Sequence, residues 1–170
     1  MDLRTRGLTL IEMMAVIAII AVLASLAVPP VARVLGAKRL AAAAETLAAD
    51  LSEARFEAAR RGQPYFVAAG SGDKGWCWSV ARQPACPCGQ VAECQLKTSQ
   101  AADHAGVRLE EGLLAQLDPD GSAQGALSAT FVSRDNQRLR VEIGRLGRAR
   151  ICRVEDAGSS SAGLRYPACS

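Results

Sequence analysis

The sequence of 170 residues has little of what enzymes use for acid–base and nucleophilic chemistry. It has one histidine, His104, and contains no glycine-rich phosphate loop, no H-E-x-x-H motif and no Ser-His-Asp set. We expect His104 to be solvated in a polar loop, and we interpret the acid pairs 110–111 and 118–120 as surface groups. These absences predict a protein that is not an enzyme and has no cofactor.

The sequence also has few lysines, few aromatic residues and a small net charge. Aromatic residues make up 4% of the chain, and only Lys38, Lys74 and Lys97 among the 20 basic residues are lysine. Arginine favours forked contacts with phosphate or carboxylate, although a GC-rich genome would give the same bias. A formal net charge of +3 does not by itself indicate a nucleic-acid-binding protein, so any electrostatic site must come from local clustering.

What the chain does contain is one long apolar run, Leu8 to Val28. Its 21 residues would form a helix about 31 Å long, enough to cross a bilayer. Arg4 and Arg6 precede the run, and the next basic residue is Arg33, so the start is predicted to be cytoplasmic and the rest extracytoplasmic.

Two interpretations of this run compete. A cleaved signal peptide would use the small residues at 25–27 as its cleavage site. Glu12 argues against this, because a charge inside an apolar helix costs about 2.5–3.5 kcal/mol and normally marks a functional residue with a partner.

The residues Arg6-Gly7-Leu8-Thr9-Leu10-Ile11-Glu12 resemble the class III leader of type IV pilins and type II secretion pseudopilins. The resemblance implies that a prepilin peptidase removes residues 1–7 by cutting after Gly7 and methylates the new amine of Leu8, where the family usually has phenylalanine. It also implies that Glu12 pairs with the terminal ammonium of a neighbouring subunit, since a buried carboxylate requires a partner. Residues 8–30 would then form the transmembrane and filament-core half of the first helix.

An amphipathic helix is predicted for 31–62 and a β-rich head for 63–154. Leu40, Leu47, Leu51, Ala54 and Ala58 recur with helical spacing, and Gly62 ends the pattern. The stripe favours a helix packed on its own sheet over a coiled coil, because it is short and alanine-rich.

Strands are predicted at 65–69, 76–80, 106–110, 127–133, 138–143 and 148–154, with hairpin turns at 133–137 and 144–147. A loop is predicted at 118–125, and 155–170 form a tail. The order predicts an α+β, pilin-like fold with a long N-terminal helix packed on an antiparallel β head. Residues 47–67 and the segment Gly75-Trp76-Cys77-Trp78 resemble the FimT/GspH family.

All six cysteines follow the apolar run and should therefore meet an oxidising compartment. Disulfides are expected, and the sequence does not choose among the possible pairings, although we expect Cys152 and Cys169 to tie down the tail. A structural zinc at the cluster from Cys77 to Cys94 is the alternative, but Cys86-Pro87-Cys88 lacks C-x2-C spacing. We therefore predict no metal. The six candidates are Cys77, Cys86, Cys88, Cys94, Cys152 and Cys169.

Arginines cluster near the carboxyl terminus. Between Arg134 and Arg153, seven arginines face two acids, a net charge of +5. One interpretation is an edge strand protected from aggregation by outward charges. The other comes from the resemblance: Gly147-Arg148-Ala149-Arg150 fits the G-R-x-R motif with which FimT-type minor pilins bind DNA, so the resemblance assigns DNA binding to Arg145, Arg148 and Arg150, with Arg153 as a helper.

The resemblance therefore implies a minor type IV pilin that captures extracellular DNA for natural transformation. Its partners would be DNA without sequence preference, other pilins, the prepilin peptidase and the inner membrane, with a periplasmic head before assembly and an extracellular pilus afterwards. The alternative is a GspH-like minor pseudopilin of a type II secretion system with a structural role.

Overall fold

The computed structural model describes residues 9–72, 75–84, 86, 94–155 and 163–169. The predicted leader, the cleavage pair Gly7 and Leu8, and Cys88 lie outside them. A helix, α1 (Leu10–Arg61), precedes β1 (Tyr65–Gly72), β2 (Gly75–Ala81), β3 (Gln95–Gln100), a 3-10 turn (Ala101–Asp103), β4 (Val107–Glu111), β5 (Leu113–Leu117), β6 (Ala123–Ala126), β7 (Ser128–Ser133), β8 (Arg138–Ile143) and β9 (Ala149–Arg153). The α+β prediction is confirmed.

Both ends of α1 are capped, the first by a side chain and the second by a glycine. Thr9 precedes the helix in an extended conformation, and its Oγ1 accepts a hydrogen bond of 3.4 Å from the backbone N–H of Glu12. Gly62 ends the helix in the left-handed conformation, and its N–H bonds to the carbonyl of Ala58 at 2.9 Å. The predicted stop at Gly62 is confirmed.

The first part of α1 is free of the head, and its large apolar side chains, including Leu10, Ile11 and Ile17, are exposed. Within the described part of the chain, no helical stretch combines the length and the apolar character that a membrane crossing needs.

From Ala37 onward, α1 packs against the head. The predicted stripe is buried: Leu40, Leu47, Leu51 and Ala58 are fully inaccessible, and α1 contacts β1, β4, β5, β7, β8 and β9. Burial of this stripe against its own sheets is the main hydrophobic contribution that joins helix to head. The interpretation as a packed helix rather than a coiled coil is therefore confirmed.

The strands form two antiparallel sheets. Sheet A has the order β3-β2-β1-β5-β6 and sheet B has the order β4-β7-β8-β9. In sheet A, Val67 pairs with Val80 on one side and Ala115 on the other. In sheet B, Phe131 pairs with Leu139, and both side chains are fully buried in the core.

Three strands were not predicted, and one loop prediction was partly wrong. β3, β5 and β6 have no counterpart among the expected strands, and residues 123–125 belong to β6 rather than to a loop. β3 and β6 lie at the edges of sheet A, where most side chains face solvent, so neither shows the apolar alternation of a half-buried strand.

The expectation of a solvated His104 is also wrong. Its ring stacks on Trp76 and Trp78, with centroid distances of 5.7 and 5.4 Å, and its Nε2 lies 3.2 Å from the Ser99 hydroxyl. Trp78 donates its indole N–H to the buried carboxylate of Asp50 at 2.8 Å. The aromatic cluster therefore joins sheet A to α1, and the half-buried ring of His104 packs against that cluster.

Candidate functional site

The arginine-rich segment forms the hairpin between β8 and β9. The N–H of Gly147 bonds to the carbonyl of Gly144 at 2.8 Å, and the N–H of Gly144 bonds to the carbonyl of Arg148 at 3.0 Å. These two bonds close a tight turn, which confirms the hairpin predicted at 144–147. We refer to residues 144–150 as the arginine turn.

Gly147 allows this turn to pack closely against the rest of the head. Its φ of +67° is in the left-handed region, and a Cβ there would lie 2.5 Å from the carbonyl oxygen of Gly121 and 2.9 Å from Cδ of Arg55. The N–H of Ala123 also donates to the carbonyl of Arg145 at 3.0 Å. The arginine turn is therefore fixed to the β5–β6 turn and to α1.

Three guanidinium groups of this turn are unpaired. Arg145, Arg148 and Arg150 are exposed, and none of them forms an ion pair or side-chain hydrogen bond with the residues that the structure describes. Arg148 and Arg150 are two residues apart, a spacing that places alternate side chains of a strand on the same face. The arrangement presents three donor forks to solvent at one end of a hairpin.

Two arginines of β8, Arg138 and Arg140, already have acidic partners. Nε of Arg138 lies 2.9 Å from Oε2 of Glu110, which lowers the pKa of that carboxyl through the hydrogen bond and the neighbouring charge. Arg140 lies 3.4 Å from Glu111 and donates to the Thr130 hydroxyl at 3.2 Å. Within the β8–β9 hairpin, the unpaired positive charge is therefore concentrated at the arginine turn.

The structure separates Arg153 from the other candidates. It lies three residues after Arg150, so its side chain leaves β9 on the opposite face. Its Nε donates to Glu155 at 3.1 Å, and its Nη1 lies 3.5 Å from the carbonyl of Tyr166. Arg153 therefore lies apart from the arginine turn, and its role as a helper stays a prediction.

Sequence reasoning missed Arg55, which adds a fourth guanidinium beside the turn. Arg55 is half-buried on α1, and its Nε lies 3.4 Å from the carbonyl of Gly121. Its position next to the buried Ala54 in the helix pattern was the only signal, and this signal does not identify what the side chain contacts.

Acidic groups near the turn limit the positive field. Glu142 pairs with Arg150 in the strand register, and its Oε1 lies 4.0 Å from Nη1 of Arg140. Asp120 is held ionised in the β5–β6 turn, because hydrogen bonds from Ser122 lower its pKa. The guanidinium forks therefore form a small local site rather than a broad positive face.

The arginine turn lies at the end of the head far from the N-terminus. It packs near Arg55, whereas the β7–β8 turn at the other end places Asp135 against Gly36. These two levels of α1 are 19 residues apart, which corresponds to about 28 Å along the helix. β9 is also an edge strand of sheet B, so the alternative of an edge protected by charge agrees with its position.

Disulfides account for the described cysteines. Cys86 bonds to Cys94, and Cys152 bonds to Cys169, which confirms the expected attachment of the tail. Cys77 is also disulfide-bonded. Because disulfide sulfurs provide no thiolate, the zinc alternative at the cluster from Cys77 to Cys94 is wrong for these residues. The same reason removes a metal site at Glu142, whose carboxylate lies near the Cys152–Cys169 bond.

At the N-terminus, the described residues include one of the predicted assembly groups. The side chain of Glu12 is exposed on the first turn of α1, where a carboxylate is favourable beside the helix N-terminus. Its predicted partner belongs to another subunit, so its role stays a prediction.

Comparison with known proteins gives two matches to family models. Residues 43–147 match the type II transport protein GspH family, and residues 3–28 match the prokaryotic N-terminal methylation motif. Among curated protein sequences, none matches this chain.

Solved structures of the type IV minor pilin FimU of Pseudomonas aeruginosa (strain PAO1) are similar to this chain. One is 18% identical with a TM-score of 0.46, and covers 74% of this chain and 100% of its own. Another is 19% identical with a TM-score of 0.48, and covers 75% of this chain and 96% of its own. Because the first family model matches more than half of the sequence, the chain belongs to the type II transport protein GspH family, and it carries a pilin-type N-terminal methylation motif.

Proposed function

We propose that this protein is a minor type IV pilin that binds extracellular DNA through Arg145, Arg148 and Arg150 for uptake in natural transformation. The observation that carries the proposal is the set of three exposed guanidiniums on a turn fixed by its packing against Arg55 and Gly121. None of the three has an ion pair in the part of the chain that the structure describes. The G-R-x-R resemblance at 147–150 supports the same assignment.

The chemistry of the arginine turn suits a phosphate backbone. Guanidinium forks bind phosphate oxygens in a bidentate manner, and binding releases the counterions condensed on DNA. Contacts with phosphate carry no sequence information, so we expect binding to be independent of sequence. Three contacts give a weak interaction for each subunit, and several subunits close together on a pilus would raise the overall affinity.

The N-terminal motif supports membrane anchoring and pilin-type processing. We propose that the prepilin peptidase cuts after Gly7 and methylates Leu8, and that Glu12 pairs with the amine of a neighbouring pilin during assembly. Before assembly the chain would cross the inner membrane once, with its head in the periplasm, and afterwards it would be extracellular in the pilus.

The test is a gel-shift titration of the purified full chain with double-stranded DNA of mixed sequence. The variant R148A/R150A should bind DNA at least tenfold more weakly, because two of three phosphate contacts are lost. The matched control is R82A/R165A, since Arg82 and Arg165 are exposed and form no ion pair with the described residues. Unchanged binding by R148A/R150A, or an equal loss in the control, would contradict the proposal.

A second candidate function is that of a GspH-like pseudopilin with a structural role in type II secretion. The match of residues 43–147 to the GspH model favours it. It predicts that the wild-type chain is not retained on DNA at physiological salt, so the titration that tests the first proposal also separates the two.

A further inference from the structure

A second group of unpaired cations lies at the opposite end of the head, around a cleft of about 200 Å³. One wall is a single face of α1, since its residues recur at spacings of three, one and three. The other wall comes from the two loops at the N-terminal ends of β4 and β8. The lining residues are Ala32, Leu35, Gly36 and Arg39 from α1, and Ala105, Gly106, Arg134 and Asp135 from the loops.

The cleft has a cationic part. Arg39 and Arg134 are exposed, and neither guanidinium forms an ion pair or hydrogen bond with any residue in the described ranges. Arg134 lies across Gly106, where a Cβ would come within 3.1 Å of its Nε, so the missing side chain makes room for the guanidinium. Asp135 contributes one carboxylate, which lies against Gly36, and the lining keeps a net positive charge.

The cleft also has an apolar part, formed by Ala32 and Leu35. Leu35 is 46% exposed, and the neighbouring Val31 and Val34 are exposed as well. A ligand that fills this cleft therefore meets hydrocarbon on one side and two guanidiniums on the other. That combination fits an amphiphile with an anionic head better than it fits an inorganic anion.

The position of the cleft along the chain indicates which amphiphile it could meet. Ala32 follows Val28, the last residue of the apolar run, by four residues, which is about 6 Å along a helix. Side chains of a helix lean toward its N-terminus, so Arg39 extends back toward that run. If the run crosses the membrane, as the proposed function requires, the cleft faces the layer of lipid headgroups.

We propose that this cleft binds the headgroup phosphate of an anionic phospholipid, with Arg39 and Arg134 as the phosphate ligands and Leu35 against the apolar part of the lipid. The inference rests on the membrane anchorage in the proposed function. It adds a site that orients the head on the bilayer before the subunit leaves for the filament.

Native mass spectrometry of the full chain in detergent, with added phosphatidylglycerol or phosphatidylcholine, tests this site. We expect phosphatidylglycerol to be retained in preference to phosphatidylcholine. R39A/R134A should lower its affinity about 30-fold, because each cation near an anionic lipid surface contributes a factor of about five. The matched control, R148A/R150A, removes the same charge from the other end of the head and should retain the lipid. If the double variant is unstable, Arg39→Glu at an exposed helix position should give the same loss.

Three results would overturn the proposal: equal retention of the two lipids, unchanged retention in R39A/R134A, or displacement of the lipid by inorganic phosphate at equal concentration. Displacement by a short DNA duplex would instead identify this end as a nucleic-acid site and would also overturn the proposal.

Other outcomes separate this proposal from the proposed function. A wild-type chain that retains phosphatidylglycerol but does not retard DNA in the gel contradicts only the DNA-binding proposal. Extraction of the chain from membranes by alkaline carbonate contradicts the anchorage itself.

Discussion

At the scale of single residues, Gly147 determines the shape of the arginine turn. Its left-handed φ and the 2.5 Å approach of the Gly121 carbonyl leave no room for a side chain. We expect Gly147→Ala to destabilise the head by about 2 kcal/mol or more, because the backbone strain adds to the displacement of a packed turn. Urea unfolding monitored by tryptophan fluorescence measures this, and DNA binding should weaken in the same variant.

Gly144 provides the control for this substitution. Its φ is not in the left-handed region, and a Cβ there would meet only the carbonyl of Arg148 at 3.9 Å. Gly144→Ala should therefore stay close to wild type in stability and in DNA binding. A loss in Gly144→Ala as large as that in Gly147→Ala would show that glycine is needed in the turn generally rather than at one contact.

Because of His104, we expect the free energy of unfolding to depend on pH. Burial against Trp76 and Trp78 lowers its pKa below the ordinary value of 6.5, and this effect exceeds the opposite influence of the Asp103 carboxylate. Because the unfolded chain then binds a proton more readily than the folded one, the free energy of unfolding should fall as pH drops through 6.5.

Urea unfolding at intervals between pH 7.5 and pH 5.5 measures this dependence. His104 is the only histidine, so His104→Asn should lower stability at neutral pH and also flatten the profile across this range. A wild-type profile that is already flat, or a variant that keeps the full slope, would contradict the assignment.

At the scale of elements, the sequence predicts those parts whose burial is periodic. The apolar stripe of α1 and the alternation of β8 gave the correct elements because each has one buried face. β3 and β6 were missed because edge strands with exposed side chains carry no such pattern. His104 was misplaced for a related reason, since its burial comes from tryptophans that lie more than 25 residues earlier in the chain.

The candidate site was also predictable only in part from the sequence. The motif predicted a site at Arg148 and Arg150, which are both exposed, and strand alternation alone could have placed Arg153 on the other face, because it is an odd number of residues away. The contact between Gly147, Gly121 and Arg55 joins three distant parts of the chain. Nothing in the local sequence of any one of these residues encodes that contact.

The Cys152–Cys169 disulfide joins β9 to the tail, and its removal should have a measurable cost. The bond closes a loop with a sequence separation of 17 residues, for which the reduced entropy of the unfolded chain predicts about 3 kcal/mol. The variant C152S/C169S should lose stability by roughly this amount in urea unfolding.

The matched control is C86S/C94S, whose bond spans only 8 residues and should contribute less. An equal or larger loss in the control would mean that local strain, rather than the loop length, determines these contributions.

At the scale of the whole molecule, the net charge of +3 conceals two separate cationic sites. Arg138 and Arg140 are paired within sheet B. Among the arginines without an ion pair in the described ranges are two groups at opposite ends of the head, one at the arginine turn and one at the cleft. The arginine turn and the cleft at Arg39 pack against levels of α1 that are far apart. A subunit can therefore contact a polyanion at one end while the other end faces the bilayer or a neighbouring subunit.

This separation predicts how DNA binding should respond to salt. Three phosphate contacts release counterions so that the logarithm of the affinity falls with the logarithm of salt concentration with a slope of about −2.7. R148A/R150A should reduce the slope to about −1, whereas R39A/R134A should leave it unchanged because that end does not touch DNA. Fluorescence anisotropy of labelled DNA between low and physiological salt measures the slope. If R39A/R134A also lowered it, DNA would be contacting both ends of the head, and the assignment of separate ligands to the two sites would be wrong.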